Sequence, residues 1–153
     1  MAGKARHLAL GKAGEDAAVR YVKGLGWRVL ERNWRPAGAE HGLELDIVAL
    51  GGGCLVFVEV KTRTPVRMAA AVSRNTPPDG IPVSAAFTAK KQARLVRAAR
   101  HYLTKGGLWS MPCRFDLICV QQSPDGQLEL EHHDNVIELG HLVDSGHTAW
   151  QPW

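Results

Sequence analysis

Two runs rich in apolar and β-branched residues dominate the hydropathy pattern. The first is Gly42-Leu43-Glu44-Leu45-Asp46-Ile47-Val48-Ala49-Leu50, the second Leu55-Val56-Phe57-Val58-Glu59-Val60-Lys61-Thr62-Arg63, and Gly51-Gly52-Gly53 between them signals a turn. Alternate residues of a strand share a face. Leu55, Phe57, Glu59 and Lys61 therefore line one side of the second strand, and Glu44, Asp46, Val48 and Leu50 one side of the first. A hairpin counted outward from the turn sets Leu50 against Cys54 or Leu55, and Asp46 against residues 58 to 59. A glycine-rich turn can carry a bulge, so this register holds to within about one residue.

Elsewhere the periodicity changes. Residues 8 to 25 have the spacing of a helix, with Leu10, Ala17, Ala18, Tyr21, Val22 and Leu25 as its apolar stripe and Glu15 on the stripe's border. Residues 27 to 33 alternate like a strand. Thr88 is placed to cap a helix that runs through Lys105 and ends at Gly106-Gly107, with Leu95, Ala98, Ala99, Tyr102 and Leu103 turned inward. Arg114 to Gln121 reads as a strand whose Asp116 is expected to pair with Arg114 or a helix cation. Leu128 to Asn135 reads as an edge strand, with His132 and His133 on opposite faces as surface or packing residues. The expected architecture is a single α/β domain over 1–140, with three or four strands in the core of a mixed sheet flanked by helices. The acidic cluster is expected at one sheet edge. Residues 66–86, with the breaker cluster Asn75-Thr76-Pro77-Pro78-Asp79-Gly80, read as a long flexible loop, and 141–153 as a tail ending in Trp150-Gln151-Pro152-Trp153.

Composition narrows the class. At 153 residues, 45% hydrophobic and 22% charged, the chain suits one globular core. Nineteen Lys and Arg against fifteen Asp and Glu leave a net charge of +4, which permits a polyanionic partner. Clustering adds more: Lys90, Lys91, Arg94, Arg97 and Arg100 fall within one helix. Their ordinary role is a solvated helix face; the alternative is contact with phosphates. Cys54, Cys113 and Cys119 lack metal-binding spacing, Cys113 and Cys119 read as small core or strand residues, and the chain reads as a reduced, cytoplasmic protein. No stretch approaches the roughly 18 apolar residues of a membrane span.

The chemistry lies in Asp46, Glu59 and Lys61. Two converging carboxylates offer hard oxygen ligands, and Mg²⁺ takes one or two of these while keeping water and substrate phosphate in its other positions. A neighbouring lysine can orient a water or stabilise charge on a phosphate. The plain alternative is an exposed Glu59–Lys61 pair worth at most about 1 kcal/mol.

The arrangement of Asp46 followed by Glu59-Val60-Lys61 resembles the Asp…Glu-x-Lys signature of restriction-endonuclease-like nucleases. The likeness widens with Gly11-Lys12-Ala13-Gly14-Glu15-Asp16-Ala17-Ala18, Arg32-Asn33-Trp34-Arg35, Glu44-Leu45-Asp46-Ile47-Val48, Arg114-Phe115-Asp116-Leu117-Ile118 and Glu131-His132-His133-Asp134-Asn135-Val136-Ile137. Over residues 8 to 138 the chain resembles the YraN-like family of small bacterial proteins. This resemblance implies a restriction-endonuclease-like fold and a metal-dependent endonuclease acting on phosphodiester bonds, with structured or branched DNA as the expected substrate. Asp46 and Glu59 would bind Mg²⁺, or alternatively Mn²⁺, with Glu15 and Glu44 assisting. Lys61 would position water, and Arg63, Lys91, Arg94 and Arg97 would hold phosphates. Gln92 resembles a Gln often found near such sites. A homodimer is compatible with this reading and a membrane partner is not expected. The alternatives are a non-catalytic module binding nucleic acid or protein and, more weakly, a small-phosphate hydrolase, although Gly51–Gly53 lacks the Lys-Ser/Thr of a P-loop. One departure from the family pattern stands out: Leu43, not Gly, directly precedes Glu44, with Gly42 one place earlier.

Overall fold

A computed structural model of the chain describes residues 2–38, 41–63 and 87–137. The loop expected at 66–86 and the tail at 141–153 lie outside the described residues. Helix α1 (Ala2–Gly24) leads into β1 (Arg28–Trp34), β2 (Leu45–Gly51) and β3 (Cys54–Arg63). Helix α2 (Ala89–Gly106), β4 (Cys113–Gln122) and β5 (Leu128–His133) follow.

The five strands form one sheet in the order β1-β2-β3-β4-β5. Only β3 and β4 run parallel, joined across the segment that contains α2; the other neighbours are antiparallel. All five strands read from the sequence are present, with β2, β3 and β4 at the centre, in line with a core of three or four strands, and β1 and β5 at the edges. Their own burial is patchy, which leaves only a weak apolar signal.

The β2–β3 hairpin follows from its turn. Gly52 and Gly53 both have positive φ, 61° and 75°, as a two-residue turn matched to strand twist requires. Leu50 then pairs with Leu55 and Ile47 with Val58, so the same register sets Asp46 against Glu59.

Each face of the sheet has its own core. On one side Ala18, Val19 and Val22 of α1 pack on Ile47, Ala49, Val56, Val58, Ile118 and Val120. On the other, Leu95, Ala98, Ala99 and Leu103 of α2 pack on Val48, Leu55, Phe57, Phe115 and Leu117. Covering both faces explains why β3 is apolar at nearly every position before Glu59. Thr88 caps α2 by accepting a bond from the Lys91 amide, and Gly107 ends it in the left-handed region. Helix α1 begins at Ala2, six residues earlier than its apolar stripe implies, and Leu25 at its end is 45% exposed. A solvated first turn needs no apolar stripe, so the pattern could not mark it.

The close approach of α1 to β3 depends on Gly14. A Cβ at this position would lie 2.0 Å from Thr62 Oγ1 and 2.9 Å from its methyl carbon. Gly14→Ala is therefore expected to cost about 1–3 kcal/mol in chemical denaturation. Adding Thr62→Ala should recover part of that loss. If Gly14→Ala alone matches wild type, the contact is looser than described.

Candidate functional site

The carboxylates gather at the ends of β2 and β3, two inner strands, rather than at a lateral edge of the sheet. The expectation of an edge site is corrected accordingly: the interruption of the apolar pattern marks where two central strands leave the core. A cavity of about 480 Å³ opens between these strand ends and the start of α2. It is lined by Gly42, Glu44, Asp46, Glu59, Thr88, Lys90, Lys91, Arg94 and Leu95. Three carboxylates thus face three cations. The N-terminus of α2 adds its own partial positive charge.

Asp46 carries the carboxyl whose charged form the site disfavours. Its Oδ2 accepts a 2.8 Å hydrogen bond from the Val60 amide. Burial above all, and then the charge of Glu59, push its pKa up to about 7; the Val60 bond opposes the rise, while Glu15 and Glu44 add to it. Glu59, 8% exposed, forms a 2.5 Å ion pair with Lys91 Nζ. Glu44 is held by Arg35 at 2.9 Å on the rim. Gly42 takes φ 93° and lines the cavity, while Leu43 turns into the core at 4% exposure. The displaced glycine therefore still forms part of the cavity wall.

Glu15 is placed differently from Glu44. It does not line the cavity, since α1 covers the other face of the sheet, and its carboxylate accepts a 3.3 Å bond from Asn33. Its charge still reaches Asp46. The neighbouring Asp16 accepts a 2.6 Å bond from Arg32, which, more than Lys12, holds its carboxyl below the usual range and fastens α1 to β1. Asn33 adopts φ 48°, a conformation that Asn tolerates better than most residues.

Lys61 shares the face of Glu59 by strand pleat, but it is absent from the cavity wall and pairs in register with Cys119. Arg63 lies one step further along the same face, and both charges act on the Cys119 thiol. Lys91 and Arg94 line the cavity, whereas Arg97 lines a separate hollow further along α2. Gln92 is not directed to the cavity: its amide donates to the Phe87 carbonyl at 2.9 Å and stiffens the entry to α2. That resemblance is corrected, since the start of the helix claims this side chain. Lys90, Arg35 and Asn33 were not singled out as site residues. Only the density of cations around Lys90 hinted at it; Arg35 and Asn33 act through partners distant in sequence.

Of the two partners expected for it, Arg114 or a helix cation, Asp116 pairs with Arg114, at 3.1 Å from Nε. It is fully buried and also binds His132 Nε2 at 2.8 Å and the Asn135 amide at 3.0 Å. A carboxylate accepts here, so the His132 Nε2–H donates to Asp116, and the other ring nitrogen, Nδ1, lies 3.3 Å from the Tyr21 hydroxyl. His132 is thus a packing residue against Tyr21 and Trp27. Cys54 and Cys119 are thiols, and burial, first of all, raises the pKa of each.

Among the described residues, no group of three or more His, Cys, Asp and Glu side chains is arranged to hold a metal, and no helix is long and apolar enough to cross a membrane. The Asp46–Glu59 pair suits a different demand. Two carboxylates whose mutual repulsion raises a pKa are relieved by a divalent cation, and Mg²⁺ needs only one or two of them.

The chain matches the family described as "Uncharacterised protein family UPF0102" over residues 14–120, a span that includes β2, β3 and α2. A UPF0102 protein of Nitratidesulfovibrio vulgaris (strain DP4) is 42% identical over 149 residues, covering 97% of this chain and 98% of the relative. One from Lawsonia intracellularis is 39% identical over 94% of this chain and 96% of its own length. A third, from Geobacter sulfurreducens, is 39% identical over 86% and 91%. The YraN-like resemblance is thereby borne out: the chain belongs to protein family UPF0102.

Proposed function

We propose that the cavity at the ends of β2 and β3 is the active site of a cytoplasmic, Mg²⁺-dependent endonuclease of restriction-endonuclease-like fold, acting on structured DNA. The observation that carries this reading is the opposition of Asp46 and Glu59 in a cavity whose remaining charged wall is Lys90, Lys91 and Arg94, apart from Glu44 at the rim. Asp46 and Glu59 would hold the ion, with Glu44 within the same cavity and Glu15 acting through its charge. When bound, Mg²⁺, or Mn²⁺ in its place, would supply Lewis-acid stabilisation of the phosphoryl oxygens. Lys91, Arg94 and Arg97 hold the strand through its phosphates, with Arg63 at the end of β3. Lys61, next after Glu59 on the same face but outside the cavity wall, would have to swing toward the ion to orient the attacking water by hydrogen bonding and stabilise developing negative charge. Release of Glu59 from Lys91 frees an ammonium for the phosphate, so one displacement prepares both partners.

The test is purified protein with Mg²⁺ or Mn²⁺ on linear, flapped, nicked and four-way DNA, beside Glu59→Gln and Lys61→Ala. Both variants should lose cleavage, Lys61→Ala by roughly 10²–10⁴-fold if it handles the proton, while DNA binding persists. Equal residual cutting by wild type and variants would sink the assignment.

A second reading has its own support. Glu59, Glu44 and Glu15 already have protein partners in Lys91, Arg35 and Asn33. An acidic cluster so satisfied can be structural in a module that binds nucleic acid or protein. Salt-dependent DNA affinity unchanged by Asp46→Ala, without cleavage under any divalent ion, would select it.

A further inference from the structure

Helix α2 continues well past the carboxylate cavity. Between Ala89 and Gly106 it carries Lys90, Lys91, Arg94, Arg97, Arg100 and Lys105, together with His101, and no acidic residue. Lys90, Arg94, Arg97, His101 and Lys105 recur at spacings of four, three, four and four, so they fall on one face of the helix. All five are exposed. That face runs about 22 Å from Lys90 to Lys105.

At its far end lies a second hollow of about 580 Å³. It is lined by Trp34, Pro36 and Ala37, which follow from the end of β1, and by Arg97, Arg100, His101, Thr104 and Lys105 of α2. Among the described residues that line it, none is a carboxylate. The helix dipole accounts for a cation at Lys105 in the last turn, but not for Arg100 further back along the helix. The Trp34 ring is committed within the protein: Lys105 Nζ sits 5.9 Å from its centroid, and Tyr102 meets it edge-on at 5.1 Å. Its role here is to hold Lys105 at the hollow rather than to offer an open platform for a base.

We infer that this hollow is a second phosphate subsite, which takes the sugar-phosphate backbone of a nucleic-acid strand led along α2 from the carboxylate cavity. The inference rests on the nucleic-acid part of the proposed function and not on cleavage. Arg100 and Lys105 contact phosphates several nucleotides from those held by Lys91 and Arg94. Recognition is through charge, so binding here is indifferent to base sequence.

The test is fluorescence anisotropy of the full chain with a labelled oligothymidylate long enough to span α2, in EDTA so that no strand is cut. Arg100→Gln/Lys105→Gln is compared with Arg20→Gln/Lys23→Gln, which removes the same net charge from exposed positions of α1. The α2 variant should bind at least tenfold more weakly near 150 mM salt. Its plot of log affinity against log salt should be shallower by about 1.4, as for two lost single-strand phosphate contacts. The α1 variant should match wild type. Equal weakening of both variants, or an unchanged slope in an α2 variant with wild-type circular dichroism, would overturn the subsite. Loss of binding in the α2 variant alone, with no cleavage by wild type in Mg²⁺, would leave the subsite standing and remove the nuclease. Cleavage dependent on Glu59 with normal binding by the α2 variant would remove the subsite alone.

Discussion

Asp46→Asn is expected to abolish cleavage and, at pH 8, to make the protein more stable. The same electrostatics produce both effects. Burial and the charge of Glu59 raise the Asp46 pKa to about 7, above the 3.8 of an unperturbed aspartate. Well below pH 3.8 this carboxyl is protonated whether the chain is folded or not, and its titration contributes nothing. As pH rises from about 4 to 7, the unfolded chain releases the proton first and gains by doing so. Stability therefore falls across that window and levels off above pH 7. Asparagine does not titrate and can still accept the Val60 amide bond. The variant should be more stable at pH 8 by an amount on the order of 2–4 kcal/mol, or roughly 5–10 °C in Tm, with the difference shrinking toward pH 4. Cleavage should fall at least about 100-fold, since the loss of a charged oxygen ligand exceeds the usual cost of disturbing one. Mg²⁺ at pH 8 should raise the Tm of wild type and not of the variant. Thermal unfolding at pH 4, 6 and 8, with and without Mg²⁺, checks all of this. A variant less stable than wild type at pH 8 would contradict the described repulsion; retained cleavage would end the nuclease reading.

Asp116→Ala is expected to give the largest loss of stability. Asp116 is wholly buried and accepts bonds from Arg114, His132 and the Asn135 amide. Its removal strands the partners. Arg114, about one-third exposed, can turn to solvent, but the His132 ring is only 14% exposed and the Asn135 amide is fixed in the backbone. Breaking a buried charged network in this way costs about 3–5 kcal/mol. Urea denaturation should show that loss at unchanged m-value, and Asp116→Asn should lose less, because it keeps the shape and one acceptor. A cost below about 1 kcal/mol for the alanine variant would mean that the cluster adds little to the fold. This network lies on the α1 side of the sheet, away from the cavity, so its loss should lower activity only through loss of folded protein.

The hairpin was legible because its signals are local. Pleat alone places Glu59 with Phe57 and Leu55, and a turn of two positive-φ glycines sets the register that opposes Asp46 to Glu59. The α2 caps were legible for the same reason: Thr88 and Gly107 act on backbone groups within four residues. The Asp116–Arg114 pair was one of two alternatives the sequence left open, and the structure selected it. Other features gave no local signal. The Lys91–Glu59 ion pair joins residues separated by the 64–86 segment, and α2 could be placed against β3 only once both cores were known. Gln92 looked available for the site, yet the Phe87 carbonyl beside it takes its amide.

By itself, the sequence determined the α/β class, the two carboxylate strands and the cationic character of α2, since these rest on composition, short-range periodicity and turn chemistry, and its motifs carried the resemblance to the family. Only the tertiary structure decided which charges meet. It paired Glu59 with Lys91, tied Glu44 to Arg35, left Lys61 outside the cavity wall and opened a second basic hollow beside Trp34. Those outcomes depend on how a helix crosses a sheet, and the strength of an interaction between charges depends on distance and burial rather than on separation along the chain.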